Sequence, residues 1–399
     1  MKLPGFLSRL RRAPERRDRE ADHYVADLLA GGFTAAGAWV SPGAAEGLAT
    51  VSACVQAISS AIGSLPAYVY RRTDTGRIED LTHPVNRLIR QGPNQAQSWP
   101  DFLEWLLAST LLRGNGLAEI QIDNRGAVIG LQPIPWGWVS PVLLPGDRLA
   151  YDIVSSNSAS GGQLRRLLPD EVLHLRDRSD TGLIGRSRLS RAAETVVAAL
   201  SVQSFASNMI RNGANPSGAF EMDGVLGDAG RVRLTESFKQ SFAGPQNAAR
   251  ALILDHGIKW RQISVSPEDA ELLASRRFST EELARIFQVP PPLVGIWDHS
   301  SFTNSETAGR WFAQHTLSPW IRKLEAEFSR SVFTAGSSSC LELDLGGFLR
   351  GDPAQRWAGY DIAIKNRVLT PNEVREAEGY NPRTGGDEFP TLAPAGTGG

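Results

Sequence analysis

Asp298-His299-Ser300-Ser301 puts an acid, a base and two hydroxyls in four consecutive positions, the residue types of nucleophilic hydrolysis. Adjacency works against that chemistry. Sequence neighbours rarely reach triad geometry, and no Gly-x-Ser-x-Gly turn presents a serine. A hydrolase using His299 with Ser300 or Ser301 stays as an alternative to the plainer reading, a polar loop tip between two helices. The six histidines never recur at the i, i+4 spacing of a helical zinc site, and two cysteines, Cys54 and Cys340, make neither a zinc site nor a disulfide framework. No metal and no cofactor are expected. His174, between Leu173 and Leu175 on a strand, reads as a hydrogen-bonded core histidine. Gly114-Asn115-Gly116 has Glu119 where a dinucleotide fingerprint needs its third glycine, so it reads as a helix stop. No Gly-Lys pair exists to grip a γ-phosphate. The remaining concentration of charge is acidic. Glu268, Asp269, Glu271, Glu281 and Glu282 face Arg276, Arg277 and Arg285 within 267–289, a net of −2. Taken alone, these acids fit a solvated helix face with i, i+4 pairs.

The elements that hold these residues fall into two halves. Val51, Cys54, Val55, Ile58 and Ile62 give a helix stopping at Gly63, and Ala67–Tyr70 a strand. His83-Pro84 opens a short helix. Ser98, with Asp101 three residues on, caps a longer one that ends at Gly114. Residues 117–176 alternate as a β-meander with turns at Asn124-Arg125-Gly126 and Pro145-Gly146-Asp147. Residues 25–49 lack periodicity and read as irregular. After this α+β body, Arg188–Asn212 predicts one continuous helix, a rod of roughly 37 Å. A small α/β insert follows, with strands 218–222, 250–254 and 258–265 and a helix 231–242. A second long helix spans about 267–289. A third runs from near Ser305 to Phe333, with a kink expected at Pro319.

Composition bounds the function. The chain has 399 residues, 42 basic and 43 acidic, and a formal net charge of −1. A protein that grips duplex DNA by counterion release would carry a basic excess, so a monomeric nucleic-acid-binding protein is a weak second alternative. No apolar run is long enough to span a bilayer, and no membrane partner is expected. Only five basic residues are lysine, a bias that a GC-rich genome also produces. The first 20 residues read as a flexible basic arm and Asn381–Gly399 as a disordered tail.

The motifs, taken in order, resemble the portal (head–tail connector) family of tailed double-stranded-DNA phages and phage-derived gene-transfer particles. The run Val51-x-x-Cys54-Val55-x-x-Ile58-x-x-x-Ile62-x-x-Leu65-Pro66 is similar to the start of that family's body. His83-Pro84, Gly92-Pro93-Asn94 and Leu112-Arg113-Gly114-Asn115-Gly116 follow. Val172–Leu175, Gly182-Leu183-Ile184-Gly185-Arg186-Ser187 and Asn212-Gly213-Ala214-x-Pro216-Ser217-Gly218 come next, then Arg277–Pro291, Leu317-x-Pro319 and Leu369–Arg375. The resemblance implies an α+β portal-type fold: a basic arm and irregular segment (1–49), a wing (50–187), a first stem helix (188–213) and a clip (214–266). A second stem helix (267–289), a tunnel loop (290–304), a long kinked helix returning to the wing (305–352), a short crown (353–380) and a tail (381–399) complete it. It further implies a structural, non-enzymatic ring of usually about twelve copies at a capsid vertex. The implied partners are the major capsid protein, the head–tail adaptor, the terminase large subunit and double-stranded DNA. The implied location is the virion, with the host cytoplasm during assembly. Trp297, Asp298, His299, Ser300 and Ser301 would face DNA from the tunnel loop, and the five acids of 267–289 would face the bore. Gln288 departs from the family, which often has glycine there, and the crown is short.

Overall fold

The computed structural model describes residues 22–23, 32–35, 37, 39–74, 76–146, 148–154, 164–211, 218–221, 230, 232, 259–262, 279–296, 302–333, 337–346 and 353–389. The described residues open with three short strands, β1 (Asp22–His23), β2 (Gly32–Phe33) and β3 (Trp39–Val40), then α1 (Pro42–Glu46) and α2 (Ala49–Gly63). The segment 25–49 is therefore not wholly irregular. β2 and β3 pair, and Ser41 caps α1 by accepting from the Ala44 N–H. The short apolar pairs Gly32-Phe33 and Trp39-Val40 are too brief for periodicity to register.

β4 (Ala67–Thr73) and β5 (Gly76–Glu79) form a hairpin, followed by α3 (Pro84–Gln91) and α4 (Trp99–Arg113). Ser98 and Asp101 make the expected reciprocal capping box, and Gly114 ends α4 in the left-handed region at φ 81°. Next come β6 (Asn115–Ile122), β7 (Val128–Ile134), β8 (Val139–Leu144), β9 (Arg148–Val154), β10 (Leu164–Leu167) and β11 (Val172–Arg176). Both expected hairpins form, but they belong to different sheets, ordered β11-β6-β7 and β1-β8-β9-β10, so the single meander is corrected. The two sheets meet over a second small core, in which Leu117 and Val172 of one and Tyr151 of the other are buried with Trp136.

Two helices replace the expected continuous rod: α5 (Arg188–Arg191) and α6 (Ala193–Arg211). Ala192 leaves helical geometry at φ −113°, ψ 32°. The backbone of β2 lies against this break, since a Cβ on Gly32 would sit 2.7 Å from Ser190 Cα. β12 (Gly218–Glu221) and β13 (Lys259–Gln262) pair antiparallel. The insert's expected helix 231–242 and strand 250–254 lie outside the described residues. Helix α7 covers 279–287, and the start of its expected span at 267 is also outside them. α8 (Phe302–Phe312) passes through a π-helical turn, Ala313–Leu317, into α9 (Ser318–Ser331). The distortion expected at Pro319 thus falls before it, where the Ser318 N–H reaches back five residues to the Ala313 carbonyl.

β14 (Ser339–Leu343) returns to pair with β4, giving the order β14-β4-β5, and α10 (Pro353–Lys365) and α11 (Pro371–Ala377) follow. Residues 381–389, expected in a disordered tail, fold back on α11. Buried Asn372 donates to the Arg383 carbonyl (3.0 Å) and to Asp387 (2.9 Å), and accepts from the Arg383 N–H (2.9 Å). The main core joins α2, α4, α7 and α9 through Ile58, Phe102, Phe287 and Phe328, each with no exposed surface. Each such burial contributes about 1.5–3 kcal/mol.

Candidate functional site

The long helices leave the body at a junction built by two glycine motifs. Gly114 and Gly185 approach so closely that a Cβ on Gly114 would lie 2.6 Å from the Ser187 nitrogen. Asn115 fixes the contact by donating to the Gly185 carbonyl and accepting from the Gly185 N–H, both at 2.8 Å. The same Oδ1 lies 2.9 Å from His174 Nε2. Since a backbone N–H already makes that oxygen the acceptor, Nε2 carries the proton. Nδ1 then accepts from Tyr151 at 2.7 Å. His174 is therefore neutral, and burial first, then Arg176 and Arg330, hold its pKa well below the usual histidine value. Its backbone N–H donates to the buried Glu327 carboxylate (3.2 Å), which Arg330 also binds. Ser187 accepts from the N–H groups of Leu189 and Ser190 and donates to the Leu112 carbonyl at 2.9 Å, tying α5 to the end of α4.

Arg188 is the hub of the next layer. Its Nη1 donates to the carbonyls of Ile286 (3.3 Å) and Phe287 (3.2 Å), groups at the end of α7 that lack a helical partner. Its Nε donates to buried Asp177 at 3.0 Å, and the guanidinium lies 5.2 Å from the centre of the Trp320 ring. Lys323 approaches the same ring at 5.1 Å, with its pKa lowered chiefly by burial. Gln288 ends α7 at φ 59°, a conformation that favours glycine. The Val289 N–H closes this cap on Ala284 (3.0 Å), and Thr316 in the π turn donates to the Gln288 carbonyl at 2.5 Å. Pro290 to Ile296 then fold into a short 3-10 turn ending at Gly295. An apolar groove of about 500 Å³ opens here, lined by Val289, Pro290, Pro291, Ala308 and Trp311.

Of the residues expected to face DNA, Trp297, Asp298, His299, Ser300 and Ser301 lie outside the described residues, as do Glu268, Asp269 and Glu271. Glu281 and Glu282 are half-buried on α7, and Glu281 pairs with Arg285 one turn on at 3.5 Å. The structure gathers instead Arg188, Thr316 and Trp320, which sequence reasoning missed, around Gln288. Gln288 alone carried a signal, as the residue standing where the resembled family often has glycine. No group of three or more His, Cys, Asp or Glu among the described residues is arranged to hold a metal. The arrangement positions backbone: it ties α5, the end of α7 and the π turn to the body.

A family model described as phage portal protein matches residues 49–379. The portal protein of Enterobacteria phage HK97 is 32% identical over 347 residues, covering 85% of this chain and 80% of that protein. The probable portal protein of Streptomyces phage phiC31 is 30% identical over 370 residues, covering 88% and 79%. Among solved structures, the neck of a native gene transfer agent particle computed with C12 symmetry superposes with a TM-score of 0.56 at 25% identity. That match covers 84% of this chain and 91% of that one.

Proposed function

Because the chain belongs to the phage portal protein family, we propose that it closes a ring of twelve copies at a capsid vertex, around a channel for double-stranded DNA. Its role is structural and not enzymatic, and the family lends no support to the hydrolase alternative. It serves in the virion of a phage or gene-transfer particle. The match to the family over most of the chain carries this reading; the C12 symmetry of the similar neck supports the number twelve. The partners are the major capsid protein, the terminase large subunit during packaging in the host cytoplasm, and then the head–tail adaptor.

The mechanism is that of a conduit. A duplex must slide, so a wall that bound phosphates tightly would stall it. The near-zero net charge and the acidic α7 segment suit a bore that surrounds DNA without gripping it. In this reading Glu268, Asp269, Glu271, Glu281 and Glu282 face the bore, and Trp297 to Ser301 form a loop that restrains packaged DNA. The junction at Arg188 and Gln288 sets the position of that loop relative to the body. Glycine substitutions across Asp298–Ser301 test the loop. They should leave rings intact while DNA packaging or retention falls; normal packaging, or lost rings, contradicts the assignment.

A further inference from the structure

The turn between β11 and α5 collects more cations than it pairs. Asp180 alone meets three guanidinium groups: Arg191 at 2.7 Å, Arg186 at 3.3 Å and Arg178 at 4.0 Å. Arg191 and Arg186, with the Arg191 hydrogen bond foremost, hold the Asp180 carboxyl below its usual range. The cluster is built and not merely crowded. Arg191 also donates to the Arg178 carbonyl (2.8 Å), and Arg186 Nε to Ser190 (3.3 Å). Arg178 and Arg186 nevertheless stay open, with 74% and 47% of their side-chain surface exposed. Guanidinium groups in excess over their carboxylate, one of them oriented by Ser190, are a receptor for another planar anion.

The position of the cluster suggests which anion. Its backbone at Arg186 and Ser187 packs on Gly114, so it sits at the C-terminal end of α4. The N-terminal end of the same helix is acidic. Asp101 is exposed in the first turn, and Glu104, one turn on, lies over Gly63. Among the described residues neither has an ion pair. Fifteen residues of helix hold the two charge patches roughly 22 Å apart. A closed ring of identical subunits needs two different, complementary faces on each copy.

We propose that Arg178 and Arg186, seated by Arg191 and Asp180, bind the acidic end of α4, Asp101 and Glu104, on the adjacent copy in the ring. The proposal rests on the ring reading above. A carboxylate suits the site better than a DNA phosphate, because arginine clamps repeated in every subunit would hold a duplex that has to slide. Self-complementary patches also agree with a chain whose charges nearly cancel.

The test is charge reversal on the full chain, with ring fraction read by mass photometry across salt and monomer folding by thermal melts. The double variant R178E/R186E should lose at least about tenfold in ring fraction at fixed concentration, because like charges then meet across the contact. Its monomer should still fold and melt cooperatively, since both side chains are largely exposed. E104R should weaken rings in the same way, and E104R combined with R178E/R186E should restore most of them. Should reversal disturb folding, R178Q/R186Q provides the milder variant, expected to form fewer rings with a flatter salt dependence. Rings as abundant as wild type in R178E/R186E, or no rescue by E104R, overturn the proposal. Intact rings with weakened duplex binding would overturn it too, and assign the cluster to nucleic-acid phosphate. Absence of rings from the wild-type chain would strike the ring reading itself, a result distinct from all of these.

Discussion

At the scale of single residues, His174, Asn115 and Gln288 carry the sharpest expectations. His174 is fully buried and neutral, with a pKa depressed in the folded chain. Its stabilising effect is therefore complete above the unfolded value of 6.5. It fades as pH falls below that, by up to about 1.4 kcal/mol per pH unit. Urea melts between pH 7.5 and 5 should show a steeper loss for wild type than for His174→Gln; parallel curves would contradict the assignment. Asn115→Ala leaves the Gly185 N–H and His174 Nε2 without their acceptor, and should cost about 2–3 kcal/mol in the same melts. Gln288→Gly should gain up to about 1 kcal/mol by relieving the left-handed backbone, whereas Gln288→Val should lose about 1–2 kcal/mol. His174 was legible as a core histidine because it interrupts an apolar strand. Its partners were not, since Tyr151 and Asn115 lie 23 and 59 residues away and only the fold brings them together.

At the scale of elements, helices with local signals were legible and those shaped by contact were not. Ser98 with Asp101, and the Gly114 stop, are written in consecutive residues, and α4 forms between them. The break at Ala192 comes from β2 lying against α5, and the π turn at Ala313–Leu317 serves a hydrogen bond to Gln288, so neither has a local pattern. Arg188 links these elements. Arg188→Met should strip the caps from Ile286 and Phe287 and leave Asp177 buried without its ion pair. The expected cost is about 3–5 kcal/mol. Hydrogen exchange should speed up in α7 and the π turn before it does in α4; uniform protection would contradict the hub role. On α6, Phe205 is 58% exposed within a stretch, Thr195–Ile210, that holds no charged residue. An uncharged exposed helix face suits packing against a neighbouring copy. Phe205→Asp should abolish rings and shift monomer stability by no more than about 0.5 kcal/mol; undiminished rings would exclude this face from the contact.

At the scale of the whole molecule, the order of its motifs made the sequence readable as a portal: many short signatures, each weak, in one order over most of the chain. The residues expected to meet DNA had a different status, because loop tips and charged helix faces follow no packing rule: the loop took its role from resemblance, and the acids of 267–289 from that resemblance together with their net charge of −2. The central claim is that this nearly neutral chain closes on itself around DNA. Cryo-electron microscopy with mass photometry, on the full chain expressed alone and together with its capsid protein, tests it most directly. The account predicts closed rings of twelve 43.3 kDa subunits, roughly 520 kDa, with an open axial channel wide enough for a duplex. Monomers under both conditions, or rings whose axis is blocked by folded protein, would contradict it.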